Sequence, residues 1–379
     1  MKTVKVGSYD TAATDGNIFT INLSVIRWPP GTGQVPASVC SGSCSPGFRR
    51  VIRRGEPTCC FQCILCPYGE ISNKTDSDDC YKCPWNLWPN IQKTKCISKT
   101  IEFLSFEGSL GTSLTSTGII SSIITVFILC IFVHYRSTPI VKANNYTLSC
   151  HLLLSISLCF LCSLNLIGYP KKEKCLLRQT VFGMVFAICI SVILAKTTMV
   201  VFAFMAIKPN SRLRRWTSPK VSYMIIFLCS LVQFFICVLW LTRSPPFPEY
   251  NSVTEPGVII AQCNEGCPFA FWCMLGYLGL LSLISFIVAF FSRSLPSSFN
   301  EAKFITFSML AFLSVWLSFI PATLSARGQY VIAMEVFAIL SSSWALVICM
   351  FLPKCFIILF QPNMNFRENL MGKSREGIR

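Results

Sequence analysis

The sequence has little charge and almost no histidine. Asp, Glu, Lys and Arg make up 13% of its 379 residues, and only two residues are histidine. Soluble globular domains carry about a quarter of their residues as charges. The hydrophobic fraction is 53%, so a string of soluble domains is excluded and a polytopic membrane protein is predicted.

Sequence patterns of enzymes, transporters and channels are also missing. There is no Gly-x-Ser-x-Gly, no His-Glu-x-x-His and no phosphate-binding P-loop. His134 and His151 are not spaced as metal ligands. Neither the repeated, Gly/Pro-broken spans of transporters nor a filter-like segment of channels is visible. The sequence therefore predicts neither an enzyme nor a cofactor.

The basic residues do not point to a nucleic acid partner. The formal net charge is +16 at pH 7, but Lys and Arg divide between an N-terminal module and short loops. No run of them is long enough to form a nucleic-acid-binding tail. We expect no nucleic acid partner.

Seven apolar segments follow residue 110, each long enough to cross a bilayer as a helix. They are placed near 111–133, 147–168, 178–205, 221–241, 268–291, 304–324 and 331–352, the last with a possible continuation to about residue 360. The loops and tail on one side hold fourteen Lys and Arg residues, against six on the other. The positive-inside rule places the C-terminus in the cytoplasm and the N-terminal module outside.

Cysteine is abundant and unevenly placed. Nine of the 22 cysteines lie between Cys40 and Cys96. This stretch is too poor in hydrophobic residues for an unaided core, so covalent links must hold it. Its Cys-x-x-Cys pairs also fit a zinc ribbon, but an extracellular position favours disulfides. Because nine is odd, one thiol pairs outside the module or stays free.

Residues 1–38 have no secretory signal, because their first ten residues lack an apolar stretch. Residues 4–6 and 19–22 are predicted as short strands, with Trp28–Gly31 closing the segment. Two strands alone are marginal in water, so we interpret them as the end of a larger domain. Asn73 begins a glycosylation sequon on a polar loop.

The third span carries a lysine, Lys196, about 27 Å from its outer end. A charge within a membrane faces a partner or a cavity, or snorkels to the interface. Glu301 opens the sixth span at the same depth and is the candidate partner, which would form an ionic latch between the two spans. In the alternative, Glu301 pairs near Lys303 or faces water.

Three further residues lie within or beside the predicted spans. Trp316 precedes a helix-kinking proline by five residues, so it is either an aromatic switch lining a cavity or a packing residue. Glu335 faces either a pocket or the interface. Cys175, at the outer mouth of the third span, can form a disulfide with Cys263 or Cys267 in the second outer loop.

Several stretches match a known family as they stand. A nine-cysteine module joined to seven spans resembles the class C G-protein-coupled receptors. The particular sequence of several stretches is similar to that of the vomeronasal type 2 pheromone receptors. The stretches that carry the resemblance are Thr138–Asn144, Cys159–Leu164, Ile193–Thr197, Ser244–Pro248, Cys263–Gly266, Phe299–Phe304 and Pro353–Pro362. The resemblance covers essentially the whole chain, although Phe356 replaces the family's usual tyrosine.

The resemblance implies a set of site residues and partners. The implied disulfides are Cys40–Cys60, Cys44–Cys63, Cys66–Cys80, Cys83–Cys96 and Cys175–Cys263, which leave Cys59 and Cys267 unpaired outside the cell. It also implies the Lys196–Glu301 latch and contact with a heterotrimeric G protein through Arg212, Arg214, Arg215, Phe299 and Lys303. The family's large agonist-binding flytrap domain is absent from this sequence, apart from residues that look like its final strands.

The combined prediction is an all-α seven-transmembrane helix bundle with a small disulfide-rich extracellular β module. It comprises a ligand-binding-domain remnant (1–38), a nine-cysteine module (39–98), a linker (99–110), the helix bundle (111–360) and a cytoplasmic tail (361–379). The predicted function is a pheromone or chemosensory receptor of the plasma membrane that couples to a G protein and forms a homo- or heterodimer with class C receptors. The alternative is a non-signalling membrane partner of full-length receptors.

Overall fold

The computed structural model describes residues 3–9, 19–26, 39–205, 218–293 and 301–361. The chain divides into two compact units, Met1–Ser98 and Lys99–Arg379. The first is built from short strands and the second from helices.

Seven helices of the second unit are long and apolar enough to cross a membrane. They are α1 (Ser109–His134), α3 (Tyr146–Cys162, extended by a 3-10 turn over Ser163–Leu166), α4 (Lys172–Met205), α5 (Pro219–Arg243), α6 (Pro268–Ser292), α7 (Glu301–Ser325) and α8 (Gln329–Met350). Two shorter helices are α2 (Pro139–Ala143) and α9 (Leu352–Phe360). The predicted seven-helix architecture is confirmed.

Helix α4 lies at the centre of the bundle, where it contacts α3, α5, α6 and α7. Phe182, Phe186, Ile190 and Ile193 of this helix are fully buried. They recur at three- and four-residue intervals, which places them along one stripe of the helix. The core of the bundle forms along this stripe. Helix α4 thereby positions Arg178 and Lys196, the charged residues on either side of the stripe.

The second unit also contains a three-stranded sheet in the order β10-β11-β9. Strands β10 (Phe247–Asn251) and β11 (Val258–Asn264) form an antiparallel hairpin between α5 and α6. Strand β9 (Thr100–Glu102), which precedes α1, pairs with β11 in parallel. The predicted linker therefore includes a strand that is hydrogen-bonded to the loop between α5 and α6.

The first unit consists of two-stranded antiparallel hairpins. Its strands are β1 (Gly7–Tyr9), β2 (Phe19–Ile21), β3 (Phe48–Ile52), β4 (Phe61–Leu65), β5 (Glu70–Ile71), β6 (Tyr81–Lys82), β7 (Leu87–Pro89) and β8 (Cys96–Ser98), and they pair in sequence order. Such short hairpins are marginally stable on their own. Disulfides between and beside them supply the missing core.

The strand predicted at residues 4–6 is displaced in the structure. The hairpin is formed by β1 (Gly7–Tyr9) and β2 (Phe19–Ile21). The register of the hairpin explains the difference, because the paired residues end at Gly7, which lies opposite Ile21. Val6 lies beyond the strand, where its carbonyl accepts a hydrogen bond from the backbone N–H of Asn22. The closing segment Trp28–Gly31 lies outside the described residues.

Candidate functional site

Two buried lysines share one carboxylate at one end of the bundle. Lys196 Nζ lies 2.5 Å and Lys354 Nζ 3.2 Å from Oε1 of Glu301. The exposed fractions are 3% for each lysine and 9% for Glu301. We call these three residues the lysine cluster. It joins α4, α7 and α9, and formally carries one positive charge in excess.

The local structure explains where these charges stand. Glu301 lies in the first turn of α7, where the helix dipole favours a negative charge. Lys354 lies in the first turn of α9, directly after Pro353. Proline is common at the start of a helix, so Pro353 favours the beginning of α9 at this point. Lys303, the alternative partner of Glu301, is exposed.

A second buried charge cluster lies at the opposite end of α4. Arg178 Nη2 donates to Oε2 of Glu335 at 2.5 Å. Gln179 Nε2 donates to Oε1 of Glu335 at 3.0 Å and to Oε1 of Glu265 at 3.1 Å. We call Arg178, Gln179, Glu265 and Glu335 the arginine cluster. It connects α4, α8 and the loop between α5 and α6, and Glu335 therefore faces a polar interior rather than the interface.

Aromatic side chains fill the space between the two clusters. The Trp316 ring centroid lies 5.6 Å from that of Phe182 and 5.8 Å from that of Phe186. An apolar cavity of about 260 Å³ adjoins these rings and is also lined by Trp272, Gly276, Phe312 and Phe319. The buried Nε1 of Trp316 has no hydrogen-bond partner within the described part of the chain. The indole can therefore reorient without breaking a hydrogen bond.

A disulfide connects the loop between α5 and α6 to the first turn of α4. Sγ of Cys263, in β11, is bonded to Sγ of Cys175. Cys267 is a half-buried free thiol. The indole Nε1 of Trp240 donates to the Glu265 carbonyl at 3.1 Å. The disulfide, this hydrogen bond and the β9–β11 pairing together hold the loop against the bundle.

The first unit carries four disulfides. They are Cys40–Cys60, Cys44–Cys63, Cys66–Cys80 and Cys83–Cys96. Cys59 is an exposed free thiol, and Asn73 is exposed. The one group with metal-ligand spacing among the described residues is Cys40, Glu56 and Cys60, and its two sulfurs are used by a disulfide.

Most residues predicted to contact a G protein lie outside the described ranges. These are Arg212, Arg214, Arg215 and Phe299. Lys303 is described and exposed on α7. Glu301 of the lysine cluster lies in the first turn of this same helix, two residues before Lys303 in sequence.

Sequence reasoning missed Lys354, Arg178, Gln179 and Glu265 as members of the two clusters. Lys354 and Arg178 look like ordinary flanking charges, because each stands next to the end of an apolar span. Glu335 was visible as a charge inside a span, but its partner lies 157 residues away in the chain. A signal was available, since a buried carboxylate requires a cation nearby.

Comparisons with known proteins agree with this architecture. The profile of a family described as "7 transmembrane sweet-taste receptor of 3 GCPR" matches residues 104–354. The profile described as "Nine Cysteines Domain of family 3 GPCR" matches residues 35–89. These are receptor families rather than enzyme families.

Curated relatives match nearly the whole chain. It is 49% identical to mouse vomeronasal type-2 receptor 26, over 96% of this chain and 43% of the relative. It is 42% identical to mouse vomeronasal type-2 receptor 116, over 99% of this chain and 44% of that protein. Identity to the human extracellular calcium-sensing receptor is 46%, over 97% of this chain and 34% of that receptor. The chain thus spans less than half the length of these relatives.

The profile match over the seven helices covers more than half of the 379 residues, and the match to the cysteine-rich profile precedes it in the chain. The chain is a multi-pass membrane protein and belongs to the class C, or family 3, G-protein-coupled receptors.

Proposed function

We propose that this protein is a chemosensory receptor of the vomeronasal type 2 kind that activates a heterotrimeric G protein from the plasma membrane. The likeness to vomeronasal type-2 receptors supports the chemosensory role. Recognition of a pheromone, dimerisation with class C receptors and the absence of enzymatic activity belong to the same proposal. So does the coupling surface formed by Arg212, Arg214, Arg215, Phe299 and Lys303.

The proposed orientation places the first unit outside the cell. Its four disulfides suit an oxidising compartment, and the exposed Asn73 sequon is then available for glycosylation. The excess of Lys and Arg on the other side of the spans supports the same orientation. The arginine cluster is then outermost and the lysine cluster faces the cytoplasm.

The observation that carries the proposal is the lysine cluster. Glu301 on α7 and Lys196 on α4 are buried and 2.5 Å apart. A buried ion pair is stabilised only while its partners stay together, because separation leaves each charge uncompensated. The pair therefore acts as a latch that favours one arrangement of α4 and α7, and a signal must supply enough free energy to favour the other. Trp316 between the helices is the proposed aromatic switch.

Charge reversal tests this function directly. Glu301→Lys places a third positive charge in the cluster, so we expect ligand-independent G-protein activation to rise several-fold in transfected cells at matched surface expression. The swap Lys196→Glu with Glu301→Lys restores an opposite-charge pair and should lower basal activation again. Arg327→Glu, an exposed charge reversal just beyond the other end of α7, serves as the control.

Two results would contradict the proposal. A well-expressed Glu301→Lys variant with unchanged basal activation would show that the pair is not a latch. If neither the original protein nor any variant activated a G protein at normal surface expression, the role of a non-signalling partner would be favoured instead.

A further inference from the structure

The arginine cluster contains more carboxylate than cation. Arg178 is the single guanidinium in it, and its 2.5 Å hydrogen bond goes to Glu335. Within the described part of the chain, the Glu265 side chain accepts one hydrogen bond, from the Gln179 amide. Its second carboxyl oxygen, Oε2, is buried and has no partner within the described ranges. A fully ionised cluster would therefore place an unpaired negative charge inside the protein, which is unfavourable.

The groups around Glu265 come from several elements. Helix α4 contributes Arg178 and Gln179, and α8 contributes Glu335. Helix α5 contributes the Trp240 indole, which binds the backbone of Glu265. Among the further charged groups near this loop, Glu249 accepts from Asn264. Lys174 donates to the carbonyl of Ile167 and Lys99 to that of Ser252.

These surroundings favour the neutral form of the Glu265 side chain. The pKa of Glu265 is raised from its ordinary 4.5 to about 7 as the net result of opposing effects. Burial is the largest cause and the Glu335 carboxylate also raises the pKa, whereas Arg178 and the hydrogen bond from the Gln179 amide lower it. A protonated Glu265 removes the unpaired charge. The buried Oε1 of Gln179, which also lacks a partner within the described part of the chain, supplies an acceptor of the kind that the added O–H group requires.

We propose that Glu265 is a proton-binding group that docks the loop between α5 and α6 on the helix bundle at mildly acidic pH and loosens it at mildly alkaline pH. The loop carries β11, which pairs with β9 ahead of α1. Proton binding at Glu265 therefore reaches the strand that leads into the first span. This device goes beyond the proposed function, and it holds whether or not the protein activates a G protein.

The direction of the pH effect follows from linkage. Between pH 4.5 and about 7 the docked loop binds more protons than the released loop, whose carboxyl is exposed and has its ordinary pKa. Docking is therefore strongest below pH 4.5, weakens as pH rises through this window and levels off above about 7. For a docked pKa of about 7, the docking equilibrium falls about tenfold from pH 6 to pH 8.

Hydrogen–deuterium exchange of the purified full chain in lipid nanodiscs measures docking without any signalling readout. The peptides of interest cover β9 and residues 258–267. Glu265→Gln is the matched control, because an amide is isosteric with the protonated carboxyl and does not titrate. After exchange in each sample is normalised to Glu265→Gln at the same pH, these peptides should exchange about tenfold faster at pH 8 than at pH 6 in the original protein.

Two more variants locate the titrating group. Glu335→Gln removes the neighbouring negative charge, so it should move the midpoint of the exchange transition to lower pH. Glu249→Gln changes a carboxyl of the same hairpin that accepts a hydrogen bond from Asn264 and lies outside the arginine cluster, so it should leave the midpoint in place. A ratio of original protein to Glu265→Gln that stayed constant from pH 6 to pH 8 would overturn the proposal, as would a midpoint that followed Glu249 instead.

Discussion

Glu301 is buried between two lysine side chains, and the third member of this cluster changes what each substitution does. Lys196 and Lys354 both bind Oε1 of Glu301. Removing the carboxylate leaves two buried cations without a counter-charge. Removing Lys354 instead leaves a neutral Lys196–Glu301 pair. The three residues are therefore not equivalent.

Stability measurements distinguish these cases. Glu301→Gln should lower the free energy of unfolding by about 3–5 kcal/mol, because it breaks a buried pair by removing one partner. Lys354→Met should change it by less than about 1 kcal/mol, since it removes the excess charge and retains an apolar side chain of similar length. Thermal unfolding in nanodiscs measures both, with the exposed Lys303→Met as control. Equal losses for Glu301→Gln and Lys354→Met would contradict this ranking.

Single residues differ in how far the sequence predicts their partners. Lys196 is identifiable because a charge interrupts a long apolar run, and Glu301 is the acidic residue at the matching depth. Lys354 and Arg178 flank apolar runs, where most basic residues face headgroups. Their burial depends on how α4, α8 and α9 pack, and that packing is not encoded in any local pattern.

Among the helices and strands, too, some are predictable from local sequence and others depend on distant partners. The seven spans are confirmed to within a few residues at most ends, the exception being α4, which begins at Lys172 instead of near 178. The length of each apolar segment is enough to predict these helices, because the thickness of the bilayer determines how long a spanning helix must be. The sheet of β9, β10 and β11 was not predicted. Strand β9 has only three residues and finds its partner more than 150 residues later, so its own sequence carries almost no signal.

The turn between β9 and α1 tests how closely that sheet is tied to the bundle. A Cβ atom added to Gly111 would lie 1.9 Å from the carbonyl oxygen of Ser105, a backbone atom that cannot rotate away. We expect Gly111→Ala to shift the segment before α1 and to lower the free energy of unfolding by about 1–3 kcal/mol. Hydrogen exchange at Thr100–Glu102 should rise with it.

Gly108→Ala is the matched control for this substitution. Its added Cβ would meet the nearest heavy atom at 3.6 Å, an ordinary contact. Gly111 lies in the first turn of α1, where intrinsic helix propensity favours alanine by about 1 kcal/mol, so propensity cannot explain a loss there. Gly108 is the N-cap residue before the helix, where alanine costs only the small preference for glycine at that position. If both variants exchanged and unfolded like the original protein, the close approach at Ser105 would be without consequence.

At the scale of the helix bundle, α4 is common to both charge clusters. Arg178 and Lys196 are eighteen residues apart, which is about 27 Å along the helix. The stripe between them is filled by Phe182 and Phe186, and both rings pack on Trp316 of α7. A displacement of α4 at one cluster is therefore transmitted to the other through a rigid helix and a packed aromatic contact.

With the proposed G-protein activation as the readout, a double-mutant cycle measures this coupling. Glu335→Gln weakens the hold on Arg178 and Glu301→Gln weakens the hold on Lys196, so each should raise basal activation by releasing α4. Together they should raise it less than the product of the single effects, because α4 can be released only once; coupling of about 1–3 kcal/mol is typical between linked sites. The control cycle pairs Glu301→Gln with Arg327→Gln, an exposed residue at the same end of the bundle as Glu335, and should be multiplicative. If the Glu335 cycle were multiplicative too, the two clusters would be independent and α4 would not connect them.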